Sequence, residues 1–446
     1  MARAKKETAL TPEERLQAAL VLDWEWPYKL PENWCWTYLG VVSEIVMGQS
    51  PAGKSTTNDS SYMPLIGGAA DMGELYPQVS RFTKTPTKQS QTDDVILSIR
   101  ATLGRPIFSD GIYCLGRGVV AFRSSIVTKE FLRYFFIDQE NYLYQNATGT
   151  TFAQVNSKTL KSMPFPLPPF HEQRRIVRRV ESLFTKLDEA KDKAQKVVDE
   201  FETRKAAILH KAFTGELTAK WREEHGVRME SWEHHQFSDL CAIVRGGSPR
   251  PAGDPRYYDG NIPFMKVADI TRNDSPYVSK VEYSIKEEGL KKTRMVEANT
   301  LLLTNSGATL GVPAITTIRT TFNDGIAAFI GLDIDSLLFY YYFWTSKTAF
   351  LRAINMGAAQ PNLNTKLIGE VEIDVPQTAE RVEIARVLNA LLSKEQQAKE
   401  AAEAVLDQID LMKKSILARA FRGELGTNDP NEESAVELLK EIIRRG

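Results

Sequence analysis

The sequence predicts an α+β protein with a pseudo-two-fold repeat, in which two mixed α/β domains are separated by a pair of long antiparallel helices. Three observations predict this class: a long internal repeat, a heptad pattern at the end of each copy, and short apolar runs broken by Gly, Pro, Asn and Ser elsewhere. With 446 residues the chain is too long for one hydrophobic core, so we expect two to four domains.

The internal repeat has an offset of 208 residues. Residues 208–217 (ILHKAFTGEL) return as residues 416–425 (ILARAFRGEL). Upstream, residues 101–104 (ATLG) reappear as 308–311, and residues 48–51 (GQSP) as 246–249 (GGSP). The chain therefore consists of two copies of one unit. Within the copies, residues 95–99 and 300–303 are typical of strands, and residues 128–144 and 335–354 are typical of helices.

The last part of each copy carries apolar residues at alternating spacings of four and three, starting at Ile176 and at Ile384. This heptad pattern predicts two helices of about 40 residues, each roughly 60 Å long. Proline precedes both helices, and Gly215 and Gly423 follow them as stop signals. Because the helices alternate with the globular parts, antiparallel pairing of the helices brings the second one back toward the first globule.

The predicted boundaries follow from these patterns. They are an N-terminal arm at 1–29, a first globule at 30–167, a first long helix at 168–225, a second globule at 226–375, a second long helix at 376–426 and a C-terminal tail helix at 427–446.

Two heptad positions differ in polarity between the copies, and they predict the register of the helix pair. Leu187 corresponds to Glu395, and Arg204 corresponds to Met412. Only one antiparallel register sets Glu395 against Arg204 and Leu187 against Met412. A slip of one heptad in one direction places Glu395 on Val197, which leaves an unpaired charge near apolar surface. A slip in the other direction pairs Glu395 with Lys211 but leaves Arg204 against Ala402. We therefore expect Arg204 and Glu395 to pair.

Further apolar residues widen the stripe beyond a two-stranded coiled coil, which favours docking of helices from another protein. These residues are Phe184, Val198, Leu209, Leu392, Leu406 and Leu417. The alternative is a coiled-coil spacer that buries only its own heptad residues.

Bulk composition excludes several classes. The net charge of −1 argues against a general polyanion binder, unless basic groups gather locally. No apolar run is long enough for a membrane span, the N-terminus lacks a secretory signal, and the three cysteines are far apart, so we expect a cytoplasmic protein without a metal site.

Two enzyme motifs lack the context they need. Residues 48–55 (GQSPAGKS) match the phosphate-loop pattern, but residues 56–61 (TTNDSS) are poor helix formers. Residues 254–257 (DPRY) are similar to the DPPY loop of amino-methyltransferases, without its second proline and without a Gly-rich cofactor loop upstream. We therefore predict no catalytic residues, and a self-contained ATP-driven or methyltransferase enzyme is the rival interpretation.

The duplicated set of motifs resembles the specificity subunits of type I restriction–modification systems. It comprises residues 166–169 (PLPP) followed by Glu172-Gln173 and Ile176-Val177, the AFxGEL helix ends at 212–217 and 420–425, residues 30–34 (LPENW) and residues 360–364 (QPNLN). The first copy departs from the last motif with residues 152–156 (FAQVN), and residues 1–29 and 427–446 lie outside the common pattern.

The resemblance implies a non-catalytic, DNA-binding subunit with two target-recognition domains, each reading one half of a bipartite site in double-stranded DNA. It implies two methyltransferase subunits docked on the helices and two motor/nuclease restriction subunits bound through them. S-adenosylmethionine, ATP and Mg are then expected on those partners, and no cofactor is expected in this chain. A coiled-coil scaffold that does not bind DNA is the alternative.

DNA contact requires cations for phosphates and planar donors and acceptors for base edges. The candidates in the first globule are Lys54, Arg81, Lys84, Lys88, Arg100, Arg105 and Gln154. Those in the second are Arg245, Arg250, Arg256, Lys266, Arg272, Lys291, Lys292, Asn305 and Gln360. The alternative for each candidate is a solvated surface group.

Overall fold

The computed structural model describes residues 11–149, 153–354 and 363–445. Elements are numbered in chain order. The strands up to residue 199 are β1 (Cys35–Tyr38), β2 (Glu44–Met47), β3 (Thr56–Thr57), β4 (Met63–Ile66), β5 (Phe82–Thr83), β6 (Lys88–Gln89), β7 (Val95–Arg100), β8 (Thr102–Phe108), β9 (Cys114–Leu115), β10 (Val119–Arg123) and β11 (Pro164–Leu167). The helices of this part are α1 (Pro12–Ala19), α2 (Leu39–Val42), α3 (Lys129–Asp138), α4 (Glu140–Gln145), α5 (Ser157–Lys161) and α6 (Phe170–Asp199).

The later strands are β12 (Glu233–Gln236), β13 (Ala242–Arg245), β14 (Tyr258–Met265), β15 (Tyr277–Val278), β16 (Tyr283–Ile285), β17 (Arg294–Val296), β18 (Thr300–Thr304), β19 (Pro313–Thr316), β20 (Thr320–Phe322), β21 (Ile326–Ile330) and β22 (Glu372–Val375). The later helices are α7 (Phe201–Phe213), α8 (Ala219–His225), α9 (Phe237–Leu240), α10 (Val267–Thr271), α11 (Glu287–Leu290), α12 (Leu337–Ile354), α13 (Thr365–Gly369), α14 (Thr378–Phe421) and α15 (Ala435–Arg445).

The predicted fold class is confirmed, and the two copies share one sheet topology. The first copy has an antiparallel sheet in the order β2-β10-β7-β8, and the second has the equivalent order β13-β21-β18-β19 with β15 added at the edge. Each copy also pairs its first strand with its last, as β1-β11 and β12-β22. The copies differ in their second sheets, which have the orders β3-β5-β4-β9-β6 and β16-β14-β20-β17.

The chain divides into two compact units. Unit 1 runs to residue 193 and resumes at residue 405, and unit 2 comprises residues 194–404. Each unit therefore holds one globule, the start of the helix that follows it and the end of the other long helix.

The core of unit 1 joins the β7-β10 sheet to both helix segments. Phe122 and Phe135 from the globule belong to one apolar cluster with Ile176 and Val180 of α6 and with Phe421 of α14. The helix segments thus contribute directly to the domain core, which anchors them to the globule.

The core of unit 2 repeats this arrangement. Leu301 and Phe237 of the globule cluster with Leu209 of α7 and with Ile384 and Leu388 of α14. The predicted first long helix, 168–225, is too long at its end: α6 continues into α7 across Glu200, where the Arg204 amide donates to the Glu200 carbonyl at 2.9 Å, but α7 ends at Phe213 and α8 is a separate short helix.

Two glycines end the long helices as the sequence predicts. Gly215 has φ +79° and Gly423 has φ +73°, the left-handed conformation that terminates a helix at little cost in glycine. The heptad prediction is wrong at Val405 and Met412, whose exposed fractions are 41% and 46%. A straight α-helix drifts relative to a 3.5-residue repeat, so Leu406 and Lys413 turn inward in their place.

Candidate nucleic-acid interface

A loop with two glycines, Gly48 and Gly53, follows β2, the edge strand of the sheet β2-β10-β7-β8. The Gly48 amide donates to the Val119 carbonyl at 3.0 Å, and a Cβ at Gly48 would collide with neighbouring backbone. Gly246 donates to the Ile326 carbonyl at 3.0 Å in the second copy. Only one 3-10 turn, Gly53–Ser55, follows before β3. Because a phosphate loop needs a helix whose N-terminal amides face the ligand, the match of residues 48–55 to that motif lacks the required geometry.

Three predicted DNA contacts surround this loop. The Lys84 amide donates to the Ser55 carbonyl at 3.0 Å, which places Lys84 beside Lys54. The Lys84 ammonium lies 5.2 Å from the centre of the Tyr62 ring, and Lys88 lies on β6. All three lysines are exposed, and none forms an ion pair with a carboxylate of the described residues. Such free ammonium groups suit phosphate oxygens.

Arg81 is held by a buried carboxylate near the same loop. Its Nη2 donates to Asp71 Oδ2 at 2.9 Å, and the Gly67 amide donates to the same oxygen at 2.7 Å. The exposed fractions of the side chains are 47% for Arg81 and 6% for Asp71.

Arg100, Arg105 and Gln154 form a separate group at the β7-β8 hairpin. Ala101 occupies the hairpin tip with φ +65°, and its amide donates to the Ala153 carbonyl at 2.9 Å. Arg100 forms a β-bridge with Gln154. The structure therefore divides the seven candidates of the first globule into two groups.

The second globule gathers two candidate arginines around Asp324. Arg245 Nε donates to the Asp324 carbonyl at 2.6 Å, and Arg250 Nη2 lies 3.5 Å from the Asp324 carboxylate. The Ser248 hydroxyl donates to the other carboxylate oxygen at 2.6 Å. Arg250 remains 71% exposed, so most of its donors face solvent.

The other basic candidates of this globule occupy distinct places. Lys291 and Lys292 are exposed, and the Lys292 carbonyl lies against Gly247 of the same loop. Arg256 is 70% exposed, and hydrogen bonds from its side chain lower the pKa of Asp254 to about 2. The remaining two are Lys266, whose ammonium lies over the ring of Tyr283, and the exposed Arg272 on the surface that borders α10.

Asn305 corrects the prediction of a DNA contact at this position. Its side chain is fully buried, and neither amide atom has a hydrogen-bond partner among the described residues. Its backbone is tied on both sides, to the Gly325 carbonyl and to the Leu363 amide. A side chain without exposed surface cannot reach a base edge from this position. Gln360 lies outside the described residues.

The structure places the predicted register pair together in unit 2. Arg204 Nε lies 2.7 Å from Glu395 Oε2, and Arg204 Nη2 donates to the Val197 carbonyl at 2.9 Å. The Lys399 ammonium lies 5.0 Å from the centre of the Phe201 ring. Because contacts move down one helix as they move up the other, the helices are antiparallel within this unit.

The predicted partner-binding residues do not form one exposed surface. Leu209 and Leu417 are 4% and 2% exposed and belong to the cores of their own units, so they are unavailable to a partner. The other four, Phe184, Val198, Leu392 and Leu406, are half-buried. The most exposed large apolar side chain of α14 is Leu411, at 66%.

Two equivalent buried glutamates, Glu172 and Glu380, belong to the duplicated motifs, but the sequence patterns assigned them no role. Glu380 accepts from the Thr218 hydroxyl at 2.7 Å and from Arg222 Nη1 at 2.6 Å. Glu172 accepts from the Thr427 hydroxyl at 2.6 Å, and burial raises its pKa. Each glutamate thus ties the start of one long helix to the segment that follows the other.

The described residues contain no group of three His, Cys, Asp or Glu side chains placed to hold a metal ion. Among the same residues, no helix combines the length and the apolar character that a membrane crossing requires.

A known protein family matches most of both copies of the repeat. Residues 31–198 and 229–404 match the family described as type I restriction modification DNA specificity domain. The EcoKI specificity subunit of Escherichia coli is 22% identical over 93% of this chain and 96% of its own length. A putative MjaX specificity subunit of Methanocaldococcus jannaschii is 28% identical, over 43% of this chain and less than half (45%) of the relative. The HsdS subunit structure from Thermoanaerobacter tengcongensis has TM-score 0.65 at 21% identity and covers 90% of this chain and 99% of that one.

Proposed function

The chain belongs to the type I restriction modification DNA specificity family, and from this premise we propose that each globule reads one half of a split target in double-stranded DNA. It is a specificity subunit, the non-catalytic component of a type I restriction–modification complex.

One observation carries the proposal: basic side chains gather around the same loop in both copies. In the first copy these are Lys54 and Lys84, and in the second they are Arg250 and Lys292. The chain as a whole is slightly acidic, with a net charge of −1, so this local enrichment does not follow from composition. Phosphate contacts by such groups supply affinity, and side chains that reach base edges supply discrimination.

We further propose that two methyltransferase subunits dock on the long helices and carry two motor/nuclease subunits. Val405, Leu411 and Met412 of α14 support this, because large apolar side chains that remain 41–66% exposed on one helix are suited to a protein partner. S-adenosylmethionine, ATP and Mg then bind to the partners, and the complex acts in the cytoplasm.

The test is methylation mapping in a genome that expresses this chain together with the gene of a type I methylase subunit. We expect one split motif, methylated on adenine, and no methylation when either gene is omitted. Leu411→Asp is expected to abolish methylation, whereas Ile334→Asp, at a residue that is 64% exposed outside the helices, is expected to retain it. Methylation by this chain alone, or a continuous motif, contradicts the proposal.

A further inference from the structure

We infer that Arg81 reads a guanine in the half-site of the first globule. This assignment rests on the proposed function, and it adds a specificity-determining residue and the base that it recognises. The geometry around the guanidinium carries the argument.

The Arg81 side chain is preorganised while most of its donors stay free. Asp71 Oδ2 holds Nη2 at 2.9 Å, and Asp71 itself is buried and fixed by the Gly67 amide. A guanidinium has five N–H donors, and the described residues offer Arg81 no second acceptor, so four donors remain. Arg81 is 47% exposed, so these donors are accessible to a ligand.

The backbone under Arg81 is also fixed. The Leu65 amide donates to the Arg81 carbonyl at 2.9 Å, and the next two residues form β5, which pairs with both β3 and β4. A Cβ at Gly67 would lie 2.6 Å from Arg81 Nη2, so the glycine leaves the space that the guanidinium occupies. The Leu65 hydrogen bond thus fixes the Arg81 backbone, and the Asp71 hydrogen bond, with the space left by Gly67, fixes the guanidinium.

A base edge suits this arrangement better than a phosphate. The Arg81–Asp71 pair has no net charge, so its long-range attraction for the DNA backbone is small. A fixed planar fork instead matches the O6 and N7 acceptors of guanine, the commonest specific arginine contact in the major groove. The unpaired Lys84, just beyond β5, is placed to hold a phosphate beside it.

Arg123 shows the difference from a structural arginine in the same globule. Both its Nε and Nη2 donate to the buried Asp94, at 3.0 and 2.8 Å, and its side chain is only 24% exposed. With Nη1 at 3.5 Å from Glu44 Oε2, three of its five donors have partners within the protein. Arg81 also pairs with a buried aspartate, but four of its five donors have no partner among the described residues.

The experiment compares variants of the full chain, expressed with the methylase gene, by the motif that they methylate. Arg81→Ala and Arg81→Lys are expected to make one guanine position of one half-site degenerate and to leave the other half unchanged. Gly67→Ala keeps both charges but displaces the guanidinium, so it is expected to weaken the preference for guanine at the same position of the motif. Asp93→Asn removes the exposed Lys129–Asp93 pair of the same globule, and this control is expected to leave the motif intact.

Equilibrium competition between duplexes measures the effect for variants that no longer methylate. Replacing the guanine is expected to weaken wild-type binding roughly 5- to 150-fold and Arg81→Ala binding hardly at all, which corresponds to about 1–3 kcal/mol for a bidentate contact. The salt dependence of binding is expected to stay the same. Uniform loss of affinity with a salt slope lowered by about one indicates a phosphate contact and overturns the assignment. An unaltered preference in Arg81→Ala also overturns it. A wild-type chain without any sequence preference refutes the proposed function itself.

Discussion

Breaking the Arg204–Glu395 pair measures how far one ion pair stabilises the helix register. The repeat supplies apolar replacements of suitable shape, because Met412 and Leu187 occupy the equivalent positions in the other copy. The perturbation is therefore Arg204→Met, Glu395→Leu and the double variant. In the wild-type chain the Nε–Oε2 distance is 2.7 Å and the exposed fractions of the side chains are 31% and 26%.

The expected coupling free energy of Arg204 and Glu395 lies between the values typical of surface ion pairs and of buried ion pairs. Two charges about 4 Å apart attract by about 4 kcal/mol at an effective dielectric constant of about 20, and desolvation and screening offset most of this. Exposed pairs contribute about 0.2–1 kcal/mol, and removing one partner of a buried pair costs about 3–5 kcal/mol. For two side chains that are about a quarter to a third exposed, we expect a coupling free energy of about 1–2 kcal/mol.

The assay is a double-mutant cycle on the free energy of unfolding of the full chain in urea. Each single substitution is expected to lower the free energy of unfolding more in the wild-type chain than in the chain that already carries the other substitution, because the first substitution leaves a lone half-buried charge. The control cycle uses Arg386 and Glu383, which pair within one turn of α14 with Arg386 68% exposed, and its coupling is expected to stay under about 0.5 kcal/mol. A coupling at Arg204–Glu395 no larger than that of the control refutes the reasoning.

Three further predictions concern other parts of the chain. Glu380→Ala is expected to cost about 3–5 kcal/mol of unfolding free energy in urea, because Arg222 loses the partner of a buried charge, and an effect below about 1 kcal/mol contradicts this. The hydrogen bond to Asp374 raises the pKa of His234, so NMR titration is expected to find it above 6.5 and to find it lowered in Asp374→Asn. A raised histidine pKa stabilises the fold below the unfolded-state pKa, and this stabilisation is lost as pH rises through the folded-state value. Leu209→Ala, in the core, is expected to lose about 2–5 kcal/mol, whereas Leu411→Ala is expected to change stability by less than about 0.5 kcal/mol.

Much of the architecture was predictable because it rests on periodic patterns. The repeat predicted that the copies share a topology, and the sheets containing β7 and β18 have equivalent strand orders. The heptad spacing predicted both long helices, and the polarity mismatch at Arg204 and Glu395 predicted which side chains meet. These inferences succeed because helix geometry relates sequence spacing directly to a face.

The interface residues were less predictable, because loops and cores depend on contacts between distant parts of the chain. Its residue type made Arg81 a candidate for DNA contact, but only the folded structure shows its partner Asp71 and the space at Gly67. Asn305 and Arg250 look alike as polar loop residues in the sequence, yet one is fully buried and the other is 71% exposed.

The sequence by itself determined the duplication, the two heptad helices with their glycine stops, and the charge pair that marks their register, since each follows from local periodicity or from comparison of the two copies. Tertiary structure alone decided which basic side chains gather around one loop, which of them is fixed by a buried carboxylate, and that Leu209 and Leu417 close the cores of their own units. The physical reason is that burial and side-chain orientation arise from packing between segments far apart in the chain, which no local pattern encodes.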